Sequence, residues 1–365
     1  LFAKYGVLEN PFPAAGQPFG HPHLETTVDL KIVDCIQEFE DDHKTQVLVI
    51  EGTQGVGKTN LLNYYQNELE DLYQADETFY IIRYYPDPEP SFDAILRKIF
   101  QELGGDHLEI VAQKLSELNS RDGSNIIDTA KSHEIRMVLH SLRRSVRDGD
   151  DKVKEVSEAA MEWLLGVRLL KKHKQALGVN FRLDTIESKT QALRDLVLVS
   201  IKLETIQGIF LLLDELEKQD YSLSKTPIIR YLSAIRALID ALPSHLFMMM
   251  ALTPEARRRY FTMLPAIAGR LQNVYTLSPL RSFKEAVSLY NLYLKEARWK
   301  AELNKDFKNI TQAFEDIFLT EEIKRIFSEQ FRKSAERGIQ GVTHRDFLNE
   351  LHGSTQTLFK ELLSS

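Results

Sequence analysis

The chain has 365 residues, 43% of them hydrophobic, a formal charge of −7 and a single cysteine. That length and apolar content allow two or three domains with real cores. The negative balance excludes a general polyanion binder, so any nucleic-acid contact would need a local patch; one cysteine, Cys35, excludes an internal disulfide and fits a reducing compartment.

No apolar run approaches the roughly 20 residues of a membrane span, and no secretion-signal pattern opens the chain. This predicts a cytoplasmic protein without membrane contact. The chain starts at Leu1, so its beginning reads as trimmed. The opening stretch YGVLENPFPAAGQPFGHP is too rich in Pro and Gly for regular structure. It predicts either a loose tail or a segment that closes over a bound base. A helix is expected over Thr27–Phe39, where Cys35, among Leu30, Val33, Ile36 and Phe39, reads as a small core residue.

Val47–Ile50 is an unbroken apolar run, the pattern of a strand buried on both faces. Gly52–Thr59 then spells G-x-x-x-x-G-K-T, and the amphipathic run Leu61–Tyr73 follows at once. Strand, glycine loop and helix together define a phosphate site. Gly52, Gly55 and Gly57 let successive N–H groups converge on one hollow at a helix N-terminus, where the dipole favours an anion. The nucleotide-binding candidates are therefore Gly52, Thr53, Gln54, Gly55, Val56, Gly57, Lys58, Thr59 and Asn60. Lys58 can reach the β- and γ-phosphates, and the Thr59 hydroxyl can ligate Mg²⁺.

Phe79–Tyr85 predicts a second strand, stopped by Pro86 and Pro90. A long stretch without strand signal follows, with helices expected over Phe92–Leu103, Leu108–Leu118, Asp128–Arg147, Val153–Leu165, Arg168–Leu177 and Asp184–Ile206. Gly104-Gly105 breaks the first two apart, and Asp184 with Glu187 forms a capping-box pattern. An insertion this long between two strands should be its own helical subdomain.

The sheet resumes at Ile209–Leu213, then come a helix over Thr226–Leu242, a strand over His245–Leu252 and a weak strand over Val274–Leu277. Helices are expected near Phe283–Arg298, Thr320–Arg337 and His344–Leu363, the last with Thr343 as N-cap and Asp346 in its first turn. Alternating strands and helices followed by a helical tail predict a parallel α/β core with an α-helical lid.

Asp214-Glu215 ends the strand Ile209–Leu213. A carboxylate at the C-terminal end of a parallel strand beside a P-loop lies near Mg²⁺, usually through water; Asp214 takes that role. Glu215 can orient or deprotonate the attacking water. Alone, the pair would read as a solvated turn. Thr253 ends the next core strand and either holds the attacking water or caps the helix that begins at Pro254.

With GTQGVGKT, LLLDE, ALT, AGRLQNVYTLSPL and GVTHRDFLNELH in place, the chain resembles an AAA+ ATPase of the origin-recognition (initiator) clade over Val47–Leu103 and Gly208–Leu363. Within that clade, WLLGVRLLKKHKQALGV at Trp163–Val179 and GIFLLLDELEK at Gly208–Lys218 most resemble the BREX-type ATP-binding proteins of bacterial phage defence. The resemblance implies an α/β P-loop NTPase (AAA+) fold: a parallel sheet core, a large helical insertion and a C-terminal α-helical lid. The expected organisation is an N-terminal segment 1–45 bordering the nucleotide, a core 46–281 with its insertion at about 105–206, and a lid 282–365. It implies ATP and Mg²⁺ as ligands, hydrolysis of ATP, homo-oligomerisation, and action on DNA or a DNA-processing partner. It also implies an arginine finger acting in trans at Arg270 and a lid arginine acting in cis at Arg345, where the alternative is a surface arginine at each. NPFP at Asn10–Pro13 resembles the family segment that borders adenine.

One departure stands out. About twenty residues follow Arg345 and finish one helix, too few for the winged-helix domain that initiator-type proteins carry. The basic candidates for DNA are Arg257, Arg258 and Arg259, and Lys171, Lys172 and Lys174, each competing with the reading of a solvated helix face. A nucleotide-gated module with little turnover, and a transposition-regulator or helicase-loader ATPase, are the rival readings. Neither a guanine-reading N-K-x-D nor a transporter signature is visible.

Overall fold

The computed structural model describes residues 2–14, 20–73, 79–85, 92–216, 225–304 and 314–364. Pro86, Pro90, Glu217 and Lys218 lie outside these residues. In chain order come α1 (Thr27–Asp42), β1 (Gln46–Glu51), α2 (Lys58–Tyr73), β2 (Phe79–Tyr84), α3 (Phe92–Glu117), α4 (Ser120–Ile127), α5 (His133–Ser145), α6 (Asp150–Leu164), α7 (Lys171–Leu177) and α8 (Ile186–Lys202). Then follow β3 (Gly208–Leu213), α9 (Lys225–Ala241), β4 (Leu246–Leu252), α10 (Pro254–Met263), α11 (Pro265–Ala268), β5 (Asn273–Thr276), α12 (Phe283–Glu302), α13 (Thr320–Glu336) and α14 (His344–Ser364).

Among the described residues five strands form one parallel sheet in the order β2-β3-β4-β1-β5. Phe79 faces Gly208 across the β2–β3 pair, and Ile209 faces Leu246 across β3–β4. Every residue of β3 and β4 is buried, which explains why both strands read as continuous apolar runs and not as alternations. Ile209, Leu211, Leu213, Met248 and Met250 share a core with the helices of the insertion. On the other face Phe210 and Phe247 pack against Phe39 of α1, with ring centroids 5.3 and 5.6 Å away. Cys35 is buried, as are Ile36 and Phe39, yet Leu30 and Val33 of the same helix face solvent, contrary to the core expected around Cys35.

The insertion is helical, with two corrections to the sequence reading. Gly104 (φ 73°, ψ 173°) leaves helical geometry and divides α3 into two segments, the break that the Gly104-Gly105 pair predicted. The helix expected over Asp128–Arg147 starts later, as α5 at His133: Ser132 caps it by accepting from the Ile135 N–H at 3.3 Å, and a separate α4 ends at Ile127, just before the expected start. Thr185, and not Asp184, caps α8, accepting from the Ser188 N–H at 3.1 Å. His107 ties α3 to β2 and α8, with Nδ1 3.0 Å from the Tyr80 hydroxyl and Nε2 2.8 Å from Ser200 Oγ. Burial pushes its pKa down to about 4, so it is neutral there.

The chain divides into two compact units. Residues 31–49 and 66–274 hold the sheet and the insertion. Residues 1–30, 50–65 and 275–365 bring the N-terminal segment, the glycine loop and the C-terminal helices together. In this second unit Tyr5, Val7 and Phe12 are buried with Tyr290, Leu294 and Phe347. Asn10 donates to the His352 carbonyl at 3.0 Å, and His352 Nδ1 donates to the Phe12 carbonyl at 2.7 Å. Residues 2–14 are therefore built onto the C-terminal helices and do not form a loose tail.

Candidate functional site

The glycine loop joins β1 to α2. Gly55 (φ 86°) and Gly57 (φ 100°) take the left-handed conformations that let the backbone fold around an anion. α2 starts at Lys58, and the Leu61 N–H closes its first turn onto the Gly57 carbonyl at 2.9 Å. The amide groups that precede that turn, including those of Lys58 and Thr59, have no earlier carbonyl within the helix to bond. Lys58 Nζ donates to the Gly52 carbonyl at 2.7 Å and to the Thr53 carbonyl at 3.3 Å, so its charge stays at the loop's own mouth. This hollow of N–H groups with one ammonium suits a polyphosphate.

Within the same unit, the N-terminus of α14 is bonded to the loop. Thr343 caps α14, its hydroxyl accepting from the Asp346 N–H at 3.1 Å, as the sequence predicted. The two following residues then reach across: His344 Nδ1 donates to the Val56 carbonyl at 2.6 Å, and the Arg345 N–H donates to the Gly55 carbonyl at 3.0 Å. Burial lowers the His344 pKa against the opposing pull of the Val56 carbonyl, which keeps Nδ1 as the N–H tautomer. The Arg345 side chain is exposed. Asn60 donates to the Pro22 carbonyl at 3.0 Å, and His23 stacks on Tyr64 at 4.1 Å while bonding Asp29 at 2.7 Å.

The strand-end acids belong to the sheet unit. Asp214 is almost fully enclosed, and both its oxygens are engaged. Oδ2 accepts from Arg83 Nη2 at 2.8 Å, and Oδ1 accepts from the Glu215 N–H at 2.9 Å. Arg83 and Asp214 side chains are 4% and 1% exposed, so this is an ion pair removed from water. Glu215 has φ 50°, a conformation disfavoured for a residue with a Cβ. As hard oxygen donors, the Thr59 hydroxyl and the Asp214 carboxylate suit Mg²⁺ in kind. A carboxylate offers about four lone-pair positions, so Asp214 in its present pairing retains room for a water-mediated hold.

Other candidates find local partners. Thr253 caps α10, its hydroxyl accepting from the Ala256 N–H at 3.2 Å, which is the capping alternative of the sequence reading. Arg270 pairs with Asp240, Nε to Oδ1 at 3.0 Å and Nη2 to Oδ2 at 3.3 Å. Arg258 reaches Glu255 at 3.5 Å, and Arg257 lies 5.5 Å from the Phe261 ring. Lys171, Lys172 and Lys174 are exposed on α7. Two residues the sequence reading passed over matter more: Arg83, the one charge inside the apolar strand FYIIRY, and His344, lying between the cap and Arg345. A lone arginine in a buried strand needs a counter-charge, and that was a usable signal.

Residues 41–260, more than half of the chain, match the family model described as AAA domain. The chain belongs to that family, and the sheet order with the glycine loop after β1 is a P-loop ATPase architecture of this class. A comparison with curated proteins gives no match. Among the described residues no helix is long and apolar enough to cross a membrane.

Proposed function

We propose that this chain is an ATP-hydrolysing switch of the origin-recognition (initiator) clade of AAA+ proteins, akin to the BREX-type ATP-binding proteins of phage defence. The observation that carries the nucleotide reading is the glycine loop, with Gly55 and Gly57 at positive φ and Lys58 opening α2, held by the first residues of α14. In this reading Lys58 and the loop amides bind the β- and γ-phosphates, and Glu215 takes the proton of the attacking water. Thr59, with Asp214 acting through water, would hold Mg²⁺. Bound Mg²⁺ would supply charge neutralisation on the phosphates. Arg345 would meet the same γ-phosphate, and Arg270 that of a neighbouring copy after leaving Asp240. The output is self-assembly and action on DNA or a DNA-processing protein.

The test has two parts. Wild type should bind ATP and Lys58→Ala should lose most of that affinity, because the substitution removes the charge facing the phosphates. Phosphate release should then be measured with and without DNA. A Lys58→Ala protein binding within a few-fold of wild type would refute the site.

A second reading, a nucleotide-gated interaction module with little turnover, is favoured by one feature: Asp214 is committed to Arg83 and to the Glu215 N–H. Tight ATP binding with phosphate release at the blank level, with or without DNA, would select it.

A further inference from the structure

The stretch Val167–Arg182 carries Arg168, Lys171, Lys172, Lys174 and Arg182 and no acidic residue, in a chain of net charge −7. It also turns large apolar side chains outward: Val167 is 46% exposed, Leu170 60% and Phe181 73%. Their exposure is enforced by their neighbours. Val179 and Leu183 are buried on either side of Phe181, and buried Trp163 donates from Nε1 to the Phe181 carbonyl at 3.0 Å. Arg182 Nε donates to the Gly166 carbonyl at 2.7 Å, which holds the two loops flanking α7 side by side. A pinned apolar surface with a basic border is the composition of a docking face and not of a solvated helix.

A surface of opposite charge stands on α1 and the second half of α2. Tyr73 of α2 donates to Glu40 of α1, so these helix ends are neighbours. Leu72 is 61% exposed, and Val33 of α1 is 41% exposed. On the same two helices Asp34, Glu38, Asp41, Glu68, Glu70 and Asp71 are exposed. α1 packs on the sheet face that carries Phe210, and the insertion packs on the face that carries Ile209 and Leu211. One chain therefore bears two complementary surfaces, acidic–apolar and basic–apolar, on opposite sides of its sheet. They cannot meet each other within one molecule.

We propose that the basic–apolar face around α7 docks on the acidic–apolar face of α1 and α2 in a second copy of this chain. The contact is heterologous, so it propagates head to tail into a ring or filament. Aliphatic Val167 and Leu170 meet Val33 and Leu72, while lysines border carboxylates, which fixes direction and excludes the reverse pairing. A nucleic acid is the weaker fit: only Phe181 offers a stacking surface, and the aliphatic side chains would gain nothing from bases. This rests on the self-assembly in the proposed function and names the surfaces that perform it.

The experiment is a charge swap read by particle mass across protein concentration, with a slowly hydrolysed ATP analogue present. Lys171→Glu/Lys172→Glu/Lys174→Glu, and separately Asp34→Lys/Glu38→Lys, should each weaken assembly by about tenfold or more, the scale of a like-charge contact. The chain carrying both swaps restores the complementarity and should recover most of the assembly. These positions are exposed, and circular dichroism confirms that each variant folds. Phe181→Ser should weaken assembly without changing ATP binding. Assembly indifferent to both swaps, or no recovery in the combined variant, overturns the assigned faces and leaves the assembly reading standing. Persistent monomers overturn both, whereas the ATP site is judged separately by Lys58→Ala. A lysine swap that abolishes binding of a thymidine oligonucleotide while assembly is unchanged assigns the face to nucleic acid instead.

Discussion

Arg83 of β2 and Asp214 at the end of β3 form an ion pair at 2.8 Å with both side chains nearly removed from water. The two strands are in register, Arg83 opposite Leu212, so the arginine reaches forward by two residues to the strand-end carboxylate. Desolvating both charges is costly, and the pair is stable only while both partners are present. Arg83→Met should therefore lower the unfolding free energy by about 3 kcal/mol, the typical result of leaving a buried charge unpaired. Arg83→Met combined with Asp214→Leu should recover much of that loss. Urea unfolding of both variants measures it; an Arg83→Met protein as stable as wild type would show that the pair contributes little.

His107 makes stability depend on pH. Its folded pKa of about 4 lies below the ordinary imidazole value because burial disfavours the charged form. Between about pH 6.5 and 4 the unfolded chain binds a proton there that the folded chain does not, so stability rises with pH across this window. The contribution is complete above the unfolded pKa and is lost as pH falls toward the folded one. It amounts to about 3 kcal/mol at most. His107→Gln should flatten the slope of stability against pH between 6.5 and 4; an unchanged slope would place the effect elsewhere.

The contact between α14 and the glycine loop is open to hydrogen exchange. His344→Ala removes the bond to the Val56 carbonyl, worth about 1 kcal/mol in a buried neutral pair. The neighbouring Arg345 amide, bonded to Gly55, should then exchange about five- to tenfold faster. Exchange at the wild-type rate would mean that the Arg345–Gly55 bond alone holds the contact.

Much of this was legible in the sequence for a physical reason. β1, β3 and β4 are buried on both faces, so their apolar runs are unbroken, and G-x-x-x-x-G-K-T between Ile50 and Leu61 leaves little freedom of interpretation. Thr343 as a cap followed from its place before an amphipathic run. What failed to show were choices made by tertiary contact. Asp184 and Thr185 are adjacent residues that can both cap a helix, and a sequence pattern does not separate starts one residue apart. Leu30 and Val33 point outward although their helix is amphipathic, because α1 meets the sheet through Phe39. Arg83 finds its partner 131 positions away, beyond any local pattern.

Arg270 offers a test of action in trans. It is half-exposed and bonded to Asp240, so its removal should cost little stability, as for other exposed pairs. If it serves a neighbour's γ-phosphate, hydrolysis per subunit rises with protein concentration, and Arg270→Ala abolishes the rise while leaving ATP binding intact. Mixing Arg270→Ala with Glu215→Gln should restore some activity, at interfaces where both wild-type residues meet. A flat profile with no rescue would make Arg270 a structural partner of Asp240.

Glu215 carries the central claim. Its φ of 50° places it in the left-handed region directly after Asp214, where a glutamate stays only if the surroundings hold it. Glu215→Gln keeps the size and loses the capacity to accept the water's proton. Steady-state phosphate release, measured beside equilibrium ATP binding for the same variant, is the direct test. Binding should match wild type while hydrolysis falls by roughly 10²-fold or more, the scale of losing a general base. Equal loss of binding and turnover, or turnover that survives the substitution, would contradict Glu215 as the base and the hydrolytic reading built on it.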